Sequence, residues 1–532
     1  MRSSILSAVT AAATLAFSGL GHAAGIDEWK SRSVYQVMID RFARTDGSSA
    51  ECEMHLFCGG TWKGLMNKLD YIQDMGFTAI QISPIVKNIE EHTAVGDAYH
   101  GYWSLDNYKL NDKFGTEKDF KDLVAELHKR DILLMVDVVV NNMVQKFDNV
   151  IPPKIDYSKF NPFNDKKYFH PYCNVSDWTN IKESQDCWLY PYGVALADLD
   201  TESPVVSKEL NSWVKGLVSN YSIDGLRIDA AKHVNDEFLP AFVEASGVFA
   251  WGEIYTDSPD ELCRYQSLDL LPGMPNYLEF WPLNDAFNGG TFEDVATMKE
   301  AARSGCNDTY ALGNFVENHD TARFANRNDD IAIAKNAMTY ILLNDGIPTV
   351  YQGQEQHFNG NSTPFNREPL WLSNYDKTAP LYVLTSTLNK IRNNAIKLDS
   401  SYIESPAETL RVDNNHFCMK KGPYGSQVVF CVTNKSTAGT KYEMNVGGFQ
   451  ASEEVVEVLT CRHNTADGTG TITMYMNNGE PKVYVPAAAL KDTGICKETT
   501  KDEYSSAAPG ALGVTGGLAM AVAFGWAATF LF

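Results

Sequence analysis

Residues 116–142 read TEKDFKDLVAELHKRDILLMVDVVVNN, and this stretch decides the fold class. Thr116 and Asp119, three residues apart, resemble a capping box, in which side chain and backbone satisfy each other at a helix start. Phe120, Leu123, Val124 and Leu127 follow at helical spacing, and residues 132–140 then run almost continuously apolar and β-branched. That is a helix and then a buried strand. The unit recurs where Leu210, Trp213, Val214, Leu217 and Val218 mark a helical face ahead of the strand-like residues 225–228. Further apolar runs at 34–39, 79–82, 249–254, 277–280, 312–316 and 349–351 bring the candidate strands to eight, mostly separated by helix-length segments. The alternation predicts an α/β fold, a (β/α)8 TIM barrel.

The barrel is expected over residues 24–141 and 199–400 of the 532. Residues 142–198 break the rhythm, being rich in Asn, Asp, Pro and aromatics without a helical period, and predict an inserted subdomain after the third strand. From 401 to 498 the pattern turns to short strands such as 427–433 and 455–459, which predicts a separate antiparallel β-sandwich domain. Acidic residues outnumber basic ones 67 to 45, and the net charge of −22 repels phosphate backbones, so nucleic acid is excluded as a partner. With 44% apolar and 21% charged residues, the chain is not a disordered one.

Both ends carry processing signals. Residues 1–23 combine Arg2, a short Ala/Ser-rich apolar run and the small-x-small site Gly21, His22, Ala23, which predicts a cleaved signal peptide rather than a membrane anchor. Residues 499–508 hold the small residues Ser505, Ser506 and Ala507, and no charge follows before Phe532. A spanning helix usually carries Lys or Arg beyond its apolar stretch, whereas this pattern fits a GPI ω site with residues 509–532 removed. The ten cysteines are expected to form structural bridges in an oxidising compartment, and nearest-neighbour pairing joins Cys52 to Cys58, Cys173 to Cys187, Cys263 to Cys306, Cys418 to Cys431 and Cys461 to Cys496. Sequons at Asn174, Asn220, Asn307, Asn361 and Asn434 agree with a secreted glycoprotein.

Three of the candidate strands end in acids: Asp229 in GLRIDAAKH, Glu253 in WGEIY and Asp320 in FVENHD. In such a barrel they converge on the C-terminal mouth. Retaining glycoside chemistry needs one carboxylate to attack the anomeric carbon and one carboxylic acid to protonate the leaving oxygen. Arg227, two residues before Asp229 and on the same strand face, is placed to hold that nucleophile ionised.

The segments DVVVNN (residues 137–142), GLRIDAAKH (225–233), GEI (252–254) and FVENHD (315–320) resemble the four signature regions of the α-amylase family, glycoside hydrolase family 13. CGGTWKG, GDAYHGYW, LVSNYSIDGLRID and LNDGIPTVYQGQEQH resemble its fungal subgroup across the whole barrel. The resemblance implies Asp229 as nucleophile, Glu253 as general acid/base and Asp320 as transition-state stabiliser. It also implies that His100, Tyr102, Trp103, Arg227, Lys232 and His319 line the sugar subsites. It further implies a calcium ion held by Asn141, Asp198, His233 through its backbone carbonyl, and Gln185, which stands where the family usually has Glu.

Departures from the family pattern bear on function. Asn142 replaces a His that hydrogen-bonds the sugar beside the nucleophile, and Thr363 in NSTPFNRE replaces an Asp, although Arg367 is retained. Gln81 and a shortened loop between Cys52 and Cys58 also differ. The Asn142 substitution together with a GPI tail resembles fungal GPI-anchored 4-α-glucanotransferases linked to cell-wall α-glucan. The expected protein is therefore a monomeric transferase acting on α-1,4-glucan or maltooligosaccharide, lipid-anchored at the outer face of the plasma membrane or in the wall. An anchored α-amylase and an inactive glucan-binding barrel are the alternatives.

Overall fold

The computed structural model describes residues 24–189 and 192–497, so the signal, linker and tail expected from the sequence lie outside the described residues. Seven parallel strands form one sheet: β1 (Val34–Val37), β2 (Ala79–Ile82), β3 (Leu133–Val139), β4 (Gly225–Asp229), β5 (Phe249–Gly252), β6 (Gly313–Asn314) and β7 (Ile347–Tyr351). Their spatial order is β6-β7-β1-β2-β3-β4-β5. The edges meet through one more stave, because Trp251 of β5 bridges Gly273 in parallel and Pro275 bridges Gly313 of β6 in parallel. Residues 273–275 thus close the α/β TIM barrel, with an antiparallel C-terminal domain behind it.

The run 277–280, expected as the sixth strand, is instead the start of helix α2 (Tyr277–Phe287); helix α1 (Glu117–Lys129) carries the complete capping box. Tyr277, Leu278, Glu279 and Phe280 are all buried, so the run has no period by which helix and strand differ. Asn276 caps the helix by accepting from the Glu279 N–H at 3.2 Å. The true stave is hidden because it is built on Gly273 and Pro275, and a Cβ on Gly273 would lie 2.5 Å from the Ala311 carbonyl oxygen.

The first residues of β1, β2, β3, β5 and β7 gather with Trp29 and Trp251 in a separate apolar cluster that plugs the N-terminal end. Trp29 donates from Nε1 to the Asp224 carbonyl at 3.0 Å, and its ring occupies the space a Cβ on Gly225 would need, 2.6 Å away. The opposite mouth is left for chemistry. Beyond β3 the chain forms an antiparallel hairpin, Asn142–Lys146 against Val194–Asp198. Among the described residues no helix is long and apolar enough to cross a membrane.

The C-terminal domain packs a six-stranded antiparallel sheet against a two-stranded one. Val429, Cys431 and Val455 from the first face Met444, Val446, Ile472 and Met474 from the second across one core. All five disulfides join the pairs that nearest-neighbour reading expects. The domain is latched to the barrel by Asp345, buried just before β7, whose carboxylate meets Lys299 at 3.0 Å, Arg303 at 2.7 Å and Lys421 of the sandwich at 2.8 Å. Burial by itself would raise this carboxyl, but Lys299, Lys421 and Arg303 hold it well below the usual range.

Asp345→Asn leaves Lys299 and Lys421 buried without their counter-charge, and is expected to lower unfolding free energy by about 3–5 kcal/mol. Denaturant unfolding measures this, and a loss below about 1 kcal/mol would show that the cations find other partners. The sequons also divide. Asn434 donates from Nδ2 to the carbonyls of Ala286, Gly290 and Asn414 at 3.0, 3.1 and 3.1 Å. An N-linked sugar leaves Nδ2 a single hydrogen, which cannot serve three acceptors. Glycopeptide mass spectrometry is expected to find Asn434 unmodified while the exposed Asn174 and Asn220 carry glycan; an occupied Asn434 would contradict the bonding.

Candidate active site

Register builds the site. Asp137 of β3 stands opposite Arg227 of β4, which stands opposite Trp251 of β5, so residues at one level of three neighbouring strands share the barrel's interior. Asp229 is the last residue of β4, Glu253 directly follows β5, and Asp320 lies in the loop after β6. Arg227, 4% exposed at its side chain, donates from Nη1 to Asp137 at 3.1 Å and to Asp229 at 2.5 Å, and its Nη2 lies 2.9 Å from Glu253. Although burial alone would lower its pKa, the carboxylates of Asp137, Glu253 and Asp229 raise it well above the ordinary value, and the guanidinium stays charged.

Ala230, next after Asp229, is held at φ +48°, a left-handed conformation that costs a non-glycine residue energy. Its N–H donates to Glu253 Oε2 at 3.0 Å, so one main-chain turn fixes the two acids relative to each other. Burial pushes Asp229 up to about 7 against the opposing pull of Arg227, and the nearby carboxylates of Glu253 and Asp320 add to the rise. Burial also drives Asp137 well above the usual range, and Tyr102 donates its hydroxyl to Asp137 Oδ2 at 2.8 Å.

The far wall is aromatic and cationic. The Tyr102 ring stacks on His319 at 5.1 Å and 4°, and His100 accepts at Nδ1 from the Tyr102 N–H. Burial, reinforced by Arg367, holds both His100 and His319 well below the ordinary histidine pKa, so both are neutral near pH 7. Asp320, the most open of the acids at 41% side-chain exposure, is met by His319 Nε2 and by Arg367 Nη2, each at 3.1 Å. Trp103 meets the His100 ring edge to face at 4.6 Å and also packs against Ile89, Ala98, Val144 and Val194, a small core beside the mouth. Asn142 is buried at the start of the hairpin, opposite Asp198.

Lys232 sits on the Glu253 side, paired to Glu261 at 2.9 Å with its backbone N–H donating to the Glu253 carbonyl. It opens into a groove of about 780 Å³ lined by Trp178, Tyr255 and Trp281. Trp178 and Tyr255 are each about half exposed, and Trp281 Nε1 is buried without a hydrogen-bond partner. Sequence reasoning missed these three, and it missed Asp137 as a site residue. Asp137 was detectable as the one acid inside the wholly apolar run LLMVDVV.

The residues expected to hold calcium form two adjoining groups. Asn141 and Asp198 are buried together, with His170 Nδ1 2.7 Å from Asp198, while His233 Nδ1 lies 3.0 Å from the Ser184 carbonyl beside Gln185. Gln185 spends its amide nitrogen on Asp236 at 2.9 Å. A second cluster, His170 with Asp186 and Glu202, is near enough to share an ion, but Lys182 already lies 2.8 Å from Asp186 and 3.7 Å from Glu202. The buried oxygens of Asn141 and Asp198 are hard donors of the kind calcium takes, although Asp198 is itself paired with His170.

Two family models match the chain, "Alpha amylase, catalytic domain" over residues 36–421 and "Alpha-amylase, domain C" over residues 409–504. An α-amylase of Saccharomycopsis fibuligera is 45% identical over 476 residues, covering 88% of this chain and 94% of that protein. The solved structure of an α-amylase from Malbranchea cinnamomea superposes with a TM-score of 0.85 at 43% identity, covering 89% of this chain and all of that one. A structure described as a cyclomaltodextrin glucanotransferase with a three-domain ABC distribution gives 0.74 at 26% identity, covering 85% of this chain and 98% of that one.

Arg227→Lys replaces a fork reaching three carboxylates by a point charge. We expect kcat/KM on α-1,4-glucan to fall at least about a hundredfold. Arg227 opposes the burial that raises Asp229, so an activity that depends on ionised Asp229 is expected to show its acid limb at higher pH in this variant. An unmoved limb would show that Arg227 does not control that ionisation.

Proposed function

The chain belongs to the α-amylase family of glycoside hydrolases, and on that premise we propose that it is a retaining 4-α-glucanotransferase acting on α-1,4-glucan. Asp229 attacks the anomeric carbon while Glu253 gives its proton to the glycosidic oxygen, which releases the leaving glucan and forms a covalent glycosyl-enzyme. A hydroxyl of a second glucan then loses its proton to Glu253 and displaces Asp229, restoring both groups and retaining the anomeric configuration. Asp320, steadied by His319 and Arg367, binds hydroxyls of the distorted ring, and the Tyr102 face supports its apolar side.

The observation that carries the transferase reading is the groove beside Glu253. The leaving glucan departs over the residue that protonates it, and the acceptor enters by the same path. Trp178, Tyr255 and Trp281 there offer aromatic faces to a sugar, and Lys232 offers a donor. An occupied groove keeps water from the glycosyl-enzyme and presents a hydroxyl in its place. Asn142, a neutral amide where the family has imidazole, supports a remodelled donor site. The three-domain neighbour described as a glucanotransferase supports the same assignment, whereas similarity to yeast proteins named α-amylase favours the hydrolase as the second reading.

Calcium, when bound, would supply a fixed charge joining the hairpin after β3 to the barrel, held by the side-chain oxygens of Asn141 and Asp198 with main-chain oxygens of Gln185 and His233. The five disulfides fit an oxidising compartment, and the residues from 499 onward support release into it on a GPI lipid.

The test incubates the purified protein with one maltooligosaccharide of defined length and follows product lengths and total reducing ends together. Longer and shorter chains at nearly constant reducing ends are expected. Shorter chains alone, with reducing ends rising in step, would make the protein an α-amylase. Glu253→Gln is expected to abolish both outcomes, and surviving turnover would remove Glu253 from the acid/base role.

A further inference from the structure

Behind Arg367, two loops that depart from the family pattern meet on one buried arginine. Arg41 is fully buried and donates to the carbonyls of Met54 and Leu56 at 2.8 and 3.0 Å, and from Nη1 to the carbonyl of Arg367 at 3.1 Å. Its partner Asp40 accepts from the backbone N–H groups of Cys58 and Gly59, and the Cys52–Cys58 disulfide closes the first loop. One guanidinium therefore fixes the short disulfide loop and the 361–367 loop against each other, and Arg367 holds Asp320.

Each loop raises one ring at this edge. His55 is exposed, while its carbonyl accepts from the Asp97 N–H at 2.8 Å and packs where a Cβ on Gly96 would sit, 2.2 Å away. Phe365 is 52% exposed, and its carbonyl oxygen lies 1.8 Å from where a Cβ on Gly360 would be. The chain on either side of it is tied down, Asn366 to Ser362 and Arg367 to Pro364, both through backbone N–H groups. The two rings meet edge to face, centroids 6.0 Å apart. A half-exposed phenylalanine gains little from the core, yet here the backbone beneath it is fixed from several sides. Such a ring presents a ready apolar face at small entropic cost to whatever binds it.

We propose that Phe365, backed by His55, is a stacking platform for a glucose unit of the retained segment of the donor, beyond the ring attacked by Asp229. The inference rests on the reading of the site as one that cleaves α-1,4-glucan. In that reading the leaving segment lies toward Glu253 and Lys232, so the retained segment runs the other way, past Asp320 and Arg367 and onto this edge. The apolar face of a pyranose suits an aromatic ring, and the platform favours donors long enough to reach it.

The experiment compares kcat/KM on maltotriose and maltoheptaose for the unsubstituted protein, Phe365→Ala and Phe365→Tyr, and measures maltoheptaose affinity calorimetrically in Glu253→Gln with and without Phe365→Ala. For Phe365→Ala we expect a fall of about three- to tenfold on maltoheptaose and of less than about twofold on maltotriose, with Phe365→Tyr restoring the long donor. The same three- to tenfold weakening is expected in the binding pair. Equal effects on both donors, or none on either and unchanged affinity, would overturn the platform. Absence of turnover by the unsubstituted protein would defeat the catalytic reading instead, and the binding pair would still decide whether the edge holds sugar.

Discussion

Arg227 is a single cation, buried at the top of the barrel, that three carboxylates share. Without it the side chains of Asp137, Asp229 and Glu253 would stand together out of water with no counter-charge among them, at a cost in free energy. With it, the acids from β3, β4 and the end of β5 are held at one level by a planar fork whose bond directions are fixed. That arrangement depends in turn on sheet register. A slip of one residue in β4 would turn Arg227 and Asp229 to the outer face, toward the helices. The plug of Trp29 and the first strand residues at the other end resists such a slip, because Gly225 accepts the Trp29 ring only in the observed register.

The same device recurs in the loops. Barrel loops are too short of apolar area to make cores of their own, and their carbonyls still need donors. Arg323, fully buried, reaches Glu317, Glu368 and the Gln352 carbonyl, so the segments after β6 and β7 are stapled together. Arg41 does likewise for the disulfide loop and Arg367. A frame built on carbonyls is indifferent to the side chains the loops carry. The donor edge can therefore change its residues, losing an Asp at position 363 and raising Phe365, while Asp320 and Arg367 keep their places.

The barrel was legible wherever a strand or helix carried its own period. The helix over 117–129 and seven of the staves follow from apolar spacing and β-branched runs. The eighth did not, because its function as a stave needs a close approach to Ala311 and Trp251 that only Gly273 permits, and because the apolar run beside it is buried on every side. Asp229, Glu253 and Asp320 could be named since each follows a recognisable strand. Asp137 could have been, as a charge inside an apolar run. The aromatic groove could not, because Trp178 and Trp281 lie far apart in the chain and meet Tyr255 only after the barrel closes. The same holds for Arg41, whose partners are carbonyls that leave no trace in the sequence.

Hydrolysis and transfer share every group as far as the glycosyl-enzyme, so the three acids say nothing about which follows. What divides them is occupancy of the Glu253 side during the lifetime of that intermediate. Glu253 is held by the Ala230 N–H and by Arg227, and the groove is lined by Lys232 and by Tyr255, two residues further along the chain. Water needs no binding surface to arrive there, whereas an acceptor sugar does, and aromatic faces supply affinity without demanding a particular hydroxyl pattern. A hydrolase can also use such a groove, to bind the leaving segment of a long substrate up to cleavage, but it gains nothing from holding that segment afterwards. In the proposed transfer the half-exposed Trp178 and Tyr255 would serve the acceptor sugar, whose residence in the groove after cleavage is a requirement there rather than a cost.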